Sequence, residues 1–413
     1  MIRLEEVTKR FADGTTAVDD LSMEAPAGKI TVLVGPSGCG KTTSLRMINR
    51  MIEPTSGRIV INGQDAMSMK PETLRRSIGY VIQHAGLFPH RTVVSNVMTV
   101  PSLLKWDKAK ARNRAMEVLE LVGLGGDFAK RYPGQLSGGQ QQRVGVARAL
   151  AGDPEVMLMD EPFSAVDPVV REVLQDEFLK LQESLGTTIV MVTHDIDEAI
   201  KLGDRIAVLR EGGQLAQFSS PDDLLAHPAD DFVASFVGRD RGYRALSFQH
   251  ADVSVHTEEA LRLGDSVPDG DQPWHLVVDD NNAPQGWVHR SEVHGALAEG
   301  DLQLGGTLAE RNGSLRGLLD AALSSPSGRG VVTDQGQLVG TVRADEVLTV
   351  IQGVSRPSGN SIRTHEDDLD SEASGRASLR TGGPSEGEQS DEPDEFDGQD
   401  APEQRRDDPG AAG

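Results

Sequence analysis

Only one cysteine occurs in the chain, Cys39, so no intramolecular disulfide can form and a reducing, cytosolic compartment is the expected setting. Aromatic residues fill 4% of 413 positions, too few for stacking on bases or sugars to be a theme. Basic residues are outnumbered. The net charge of −23 argues against nucleic acid as the main partner, because phosphate backbones need clustered Lys and Arg. No apolar run approaches the ~20 residues that span a bilayer. The opening MIRLEEVTKRF is charged where a signal peptide would be apolar. Any work at a membrane is therefore expected of a peripheral subunit.

What is present divides unevenly along a chain long enough for two or three domains. Up to about residue 218, short β-branched runs alternate with helical patterns: KITVLVG (29–35), EVMLMD (155–160), TTIVMVTH (187–194) and RIAVLR (205–210). That alternation predicts an α/β domain with a mostly parallel sheet. DKAKARNRAMEVLELVGL (107–124) has helical spacing and belongs to an inserted helical segment of roughly 88–150. Residues 219–240 read as a short helical connector, opened by Ser220 and Pro221 with Asp222 and Asp223 in the first turn.

GPSGCGKTT (35–43) follows a strand and fits the G-x-x-x-x-G-K-[ST] phosphate loop. Gly35, Gly38 and Gly40 let backbone N–H groups converge on phosphate oxygens, with Pro36, Ser37 and Cys39 between them. Lys41 adds a positive charge and Thr42 a hydroxyl for Mg²⁺, with Thr43 beside it. A helix expected from about 41 to 52 points its positive end at the anion. VMLMDEP (156–162) is an apolar strand ending in two acids: Asp160 can reach a metal beside the loop, and Glu161 can orient water. His194 closes another apolar strand. Gln83 and Phe11 carry no signal alone. LSGGQ (136–140) is a second glycine-rich loop without an acid, thiol or histidine.

In order and spacing, Phe11, GPSGCGKTT, Gln83, LSGGQ, VMLMDEP, SAVD (164–167) and His194 resemble an ABC-transporter ATPase subunit over residues 1 to about 240. The resemblance implies a P-loop NTPase fold: a RecA-like core with an antiparallel subdomain and an inserted helical subdomain. It implies ATP and Mg²⁺, with Phe11 stacking on adenine and Thr42, Gln83 and Asp160 around the metal. Glu161 becomes the catalytic carboxylate, and His194 contacts the γ-phosphate. The LSGGQ loop then serves a second, facing subunit: Ser137, Gly138, Gly139 and Gln140 would cap the nucleotide of the partner, and Asp167 would lie in the loop that communicates across a head-to-tail homodimer. Transmembrane permease subunits and, indirectly, an extracytoplasmic binding protein are the implied partners, at the cytoplasmic face of the membrane.

RMINRMIEPTSGRIVINGQD (46–65), IGYVIQHAGLFPHRTV (78–93) and LMDEPFSAVDPVVRE (158–172) look like importers of quaternary amines: glycine betaine, proline betaine, carnitine or choline. An importer of amino acids or polyamines is the alternative. A soluble ABC-type ATPase of DNA repair or translation fits less well, since the chain has neither two fused ATPase halves nor a long coiled-coil insertion.

Residues 241–355 hold an internal repeat: HLVVDDNNAPQGWVHRSEV (275–293) aligns without gaps to RGVVTDQGQLVGTVRADEV (329–347), with 7 of 19 positions identical. Each copy reads as a strand, a polar turn, a second strand starting at a glycine, and a helix start. The pair resembles a tandem CBS module. Nucleotide-binding repeats of that type carry Thr or Ser three residues after the glycine and Asp six after it. Here Gly286 is followed by His289 and Glu292, and Gly340 by Arg343 and Glu346, which puts adenosine-nucleotide binding in doubt and keeps a structural or dimerising role open. From about 356 the chain has almost no apolar side chains, and residues 357–413 carry sixteen acids against five arginines. That composition predicts a disordered acidic tail, either salt-sensing or merely solubilising.

Overall fold

The structure, a computed structural model, describes residues 1–354 except 84, 85, 165 and 304. The acidic tail expected from 356 lies outside the described residues. The described residues form one compact unit.

A six-stranded sheet runs in the order Leu215–Ser219, Arg205–Leu209, Ile30–Val34, Thr188–Val192, Val156–Asp160, Ile78–Val81. All neighbours are parallel except the first pair. Every residue of the three central strands is buried, which explains why their sequences are continuous apolar runs and not alternating ones. Successive side chains divide between two cores. Ile30, Val32, Met157, Met159, Ile189 and Met191 face the helical side. Leu33, Leu158, Val190 and Val192 face the other, where Ile2, Leu4, Leu21 and Ile59 of a second sheet cover them. That second sheet is antiparallel, ordered Thr16–Ala25, Ile2–Arg10, Ser56–Ile61, Gln64–Asp65.

The helix after the phosphate loop spans Lys41–Ile48, a turn shorter than the expected 41–52. Arg50 adopts φ 48°, a left-handed conformation that ends the helical path, and its guanidinium binds the carbonyls of Ala66 and Met69. Helices Val93–Val97, Thr99–Leu103, Lys108–Leu121 and Gly138–Leu150 follow the strand Ile78–Val81. Asp107 caps the third, accepting from the amides of Ala109 and Lys110. Beyond Ser219, helix Pro221–Ala226 starts on Ser220 and Pro221 with two acids in its first turn, and Asp230 caps helix Asp231–Val237. Among the described residues no helix is long and apolar enough to cross a membrane.

Residues 241–354 build two three-stranded sheets from the repeat. Ala260–Leu261, Trp274–Val278 and Pro284–His289 form one; Ala309–Glu310, Arg329–Asp334 and Gln337–Arg343 form the other. The repeat glycines stand inside their strands, not at the start. The reason is a close approach from outside. A Cβ on Gly340 would lie 2.3 Å from the His256 carbonyl oxygen, and one on Gly286 would lie 2.7 Å from that of Gln303. His256 bridges Thr341 of the second copy and Gln303 bridges Trp287 of the first, so each copy is stitched by the segment that precedes the other. The copies differ after the strand: the second continues into helix Ala344–Val354, the first only into a single turn, Arg290–Glu292.

Candidate functional site

Parallel register aligns the carboxyl ends of four strands. Asp160 pairs with Val192, Leu33 with the same Val192, and Val81 with Met159. The segments leaving these ends are the phosphate loop, Gln83, Glu161 and His194, so residues up to 159 positions apart in sequence meet at one edge.

Gly40 takes φ +90° at the N-cap of the loop helix, and a Cβ there would sit 2.1 Å from the carbonyl oxygen of Ala17. Only glycine satisfies both conditions. Lys41 folds back into the loop, its Nζ donating to the carbonyls of Gly35 (2.7 Å) and Pro36 (2.9 Å) and lying 3.6 Å from Cys39 Sγ. Cys39 is fully buried. Pro36 and Lys41 bracket an amide-rich turn in which Ser37 and Gly38 are exposed, and Thr43 follows in the first turn.

Thr42 Oγ1 donates to Asp160 Oδ1 at 3.0 Å. Burial pushes the Asp160 carboxyl above its ordinary range, opposed by the Thr42 hydroxyl and by Arg46 and Lys41. Beside it, Glu161 is the hub. Its Oε2 accepts from Gln83 Nε2 at 2.8 Å, and its Oε1 lies 3.2 Å from His194 Nδ1. Glu161 takes φ 46°, a conformation that costs a non-glycine residue ~1 kcal/mol or more. Its amide donates to the Val192 carbonyl at 3.0 Å, which holds it there.

The donor set fits Mg²⁺: hydroxyl, amide and carboxylate oxygens with one ready acid, Asp160. Among the described residues no three His, Cys, Asp or Glu side chains converge on a metal position. A metal held by Thr42, Gln83 and Asp160 would therefore draw its remaining ligands from phosphate and water.

Two expected groups stand apart from this cluster. Phe11 lies exposed near the end of the first strand, with Lys9 Nζ 5.4 Å from its ring centre. The Ser137 loop has only local hydrogen bonds. Ser137 Oγ accepts from the Gln140 amide, and Gln140 Oε1 accepts from the Ser137 amide, a reciprocal cap on helix Gly138–Leu150. The first amides of that helix, Gly138 and Gly139, have no intrahelical acceptor. Asp167 is exposed, its carbonyl accepting from the Arg171 amide at 2.8 Å.

Arg46 is a participant that motif reading missed. It acts on both Asp160 and Tyr80. Its position four residues after Thr42, on the same helix face, was the available signal. Size would have misled: a concavity of about 680 Å³ opens around Ile78 and Val156, at the amino ends of the strands and away from this chemistry.

The ABC transporter family profile matches residues 18–164. The osmoprotectant import ATP-binding protein OsmV of Salmonella typhimurium is 49% identical over 310 residues, covering 72% of this chain and 81% of that protein. The carnitine transport ATP-binding protein OpuCA of Listeria monocytogenes is 46% identical over 302 residues, covering 71% of this chain and 76% of its own. Among solved structures, cbiO1 of Clostridium perfringens, part of an ABC transporter complex, superposes with TM-score 0.51 at 29% identity over 55% of this chain and 90% of that one.

Proposed function

The chain belongs to the ATP-binding proteins of ABC transporters, and from that premise we propose that it hydrolyses ATP to drive import of quaternary-amine osmoprotectants such as glycine betaine, carnitine or choline. The observation that carries the proposal is Glu161 between Gln83, which donates to it at 2.8 Å, and His194, whose Nδ1 lies 3.2 Å away, beside the Thr42–Asp160 pair. The names of the similar proteins support the solute class.

Within that reading the residues divide the work. Phe11 stacks on adenine. The amides of Gly35 to Gly40 and the Lys41 ammonium take phosphate oxygens, which requires Lys41 to leave the Gly35 and Pro36 carbonyls. Thr42, Gln83 and Asp160 would hold Mg²⁺, which would supply charge neutralisation at the phosphates. Glu161 accepts a proton from the attacking water, and Gln83 and His194 fix the direction of its carboxylate. His194 is the donor toward the terminal phosphate. Ser137, Gly138, Gly139 and Gln140 face the nucleotide of a second copy, with Asp167 at the seam. The natural setting is a homodimer under permease subunits at the cytoplasmic face of the membrane.

Residues 241–355 act as a paired CBS-type module that braces the chain. An adenosine nucleotide does not fit the two glutamates. Glu346 is held by His256 Nε2 at 2.8 and 3.0 Å, and Glu292 accepts from Gln303 Nε2 at 2.7 Å. Each acid is bound to the segment stitched across its own copy.

Uptake tests the proposal. Vesicles carrying the chain with its permease accumulate labelled glycine betaine, carnitine or choline when ATP is enclosed, and Lys41→Ala abolishes it. Uptake of an amino acid or polyamine instead would establish the alternative importer.

A further inference from the structure

Among the described residues, the one ion-pair partner of the His194 side chain is Glu161, 3.2 Å from its Nδ1, and the side chain is 61% exposed. Its direction is therefore set by the backbone between strand Thr188–Val192 and helix Ile196–Leu202. That helix has three acids at its start, each engaged differently. Asp195 caps it, accepting from the amides of Asp197 (2.9 Å) and Glu198 (3.3 Å), with Arg171 3.8 Å away. Glu198 is buried and accepts from Gln175 Nε2 at 3.3 Å. Both Arg171 and Gln175 belong to helix Pro168–Leu185, which follows Asp167.

Asp197 is engaged from elsewhere. Arg244 holds it through Nη2, which donates to Oδ2 at 3.0 Å, with Nε 2.8 Å from Oδ1. Two guanidinium nitrogens thus face the two carboxylate oxygens, one of them as a charge-assisted hydrogen-bond donor. The Arg244 side chain is only 13% exposed, and its remaining nitrogen donates to the Val237 carbonyl, with Asp240 3.3 Å from the guanidinium. The neighbouring Tyr243 turns to the C-terminal module: its hydroxyl donates to Asp320, and the Arg316 guanidinium lies 4.9 Å from its ring centre. Both partners are on helix Leu315–Ser324. Packing repeats this division. Ala245 lies against the core of the ATPase sheet, whereas Tyr243 and Leu246 belong to the core of the module.

We propose that Arg244 is a positioning residue for His194, and that Tyr243 and Arg244 together are the route by which the C-terminal module governs hydrolysis within the same chain. The inference rests on His194 acting at the terminal phosphate. A seven-residue helix held on one side by the ATPase and on the other by Arg244 moves as a body if either hold changes. A displacement of ~1 Å at a catalytic group can cost up to ~10²-fold in rate.

The test is a double-mutant cycle on the full chain, read as steady-state ATP hydrolysis. Arg244→Ala and Asp197→Ala each lower kcat about tenfold while KM for ATP stays within about twofold. The double variant loses no more than either single one, and Arg244→Lys recovers part of the rate. Tyr243→Phe, which leaves Arg244 intact, lowers kcat in the same direction. Independent, multiplying losses in the cycle, or a loss confined to KM, would overturn the positioning role. An unchanged kcat in Tyr243→Phe would overturn the route. If Arg244→Ala fails to fold, Arg244→Lys and Asp197→Asn carry the same cycle. Wild type and Glu161→Gln run alongside: their difference bears on the catalytic reading alone, so either conclusion can fail by itself.

Discussion

Replacing Glu161 by Gln changes one atom and separates two effects of very different size. The backbone there is held independently of the side chain, by the Glu161 amide on the Val192 carbonyl and by Ser164, whose hydroxyl donates to the Glu161 carbonyl at 3.0 Å. The amide keeps the shape of the carboxylate but can accept only through one oxygen. Its oxygen keeps the hydrogen bond from Gln83 Nε2 at 2.8 Å, and what is lost is the negative charge facing His194 Nδ1 at 3.2 Å. Losing that exposed ion-pair contact costs at most about 1 kcal/mol of stability. For a domain of this size the loss lowers Tm by only about 2–4 °C per kcal/mol. Removing a positioned proton acceptor costs ~10²- to 10⁴-fold in rate, which is ~3–5 kcal/mol in the barrier. The catalytic effect wins, so the variant is folded, binds ATP and accumulates the nucleotide-bound dimer, while turnover falls at least ~10²-fold. Steady-state phosphate release and retention of labelled ATP measure both. Turnover within tenfold of wild type would refute Glu161 as the base, and loss of ATP binding with normal folding would make it a structural residue.

Mixing Lys41→Ala with Ser137→Arg, each inactive alone, produces heterodimers in which one site carries both defects and one carries neither. ATPase activity returns in part on mixing, and heterodimers that form without activity would refute the shared site. Burial holds the Glu198 carboxyl above its ordinary value of 4.5, so its ionisation weakens the fold as pH rises. Glu198→Gln therefore matches wild type in Tm at acidic pH and gains on it as pH climbs past that ordinary value; a difference constant from pH 4 to 8 would contradict this. A Cβ at position 340 would meet the His256 carbonyl oxygen at 2.3 Å and Val255 Cγ1 at 2.8 Å, so Gly340→Ala destabilises the C-terminal module by ~1–3 kcal/mol. Limited proteolysis reads this as faster cleavage between 250 and 345, and unchanged protection would show that the stitch can relax.

The local features were legible in the sequence because their causes lie within a few residues. Ser137 and Gln140 cap each other three positions apart, Asp107 caps its own helix, and Gly40 provides the turn into Lys41. Apolar runs with both faces buried announced the central parallel strands before their order was known. The tertiary structure alone decided which of these pieces meet. Gln83 reaches Glu161 across 78 positions because the sheet places Ile78–Val81 beside Val156–Asp160 and staggers neither. The repeat glycines sit inside strands because segments 256 and 303 cross between copies, a contact no spacing within one copy reveals. The hold of Arg244 on Asp197 spans 47 positions and joins residues that belong to no motif. Backbone hydrogen bonding and capping act over three or four residues and leave their mark in composition and period. Side-chain partnerships across a sheet depend on strand order, which follows from burying two cores at once and not from any short stretch of chain.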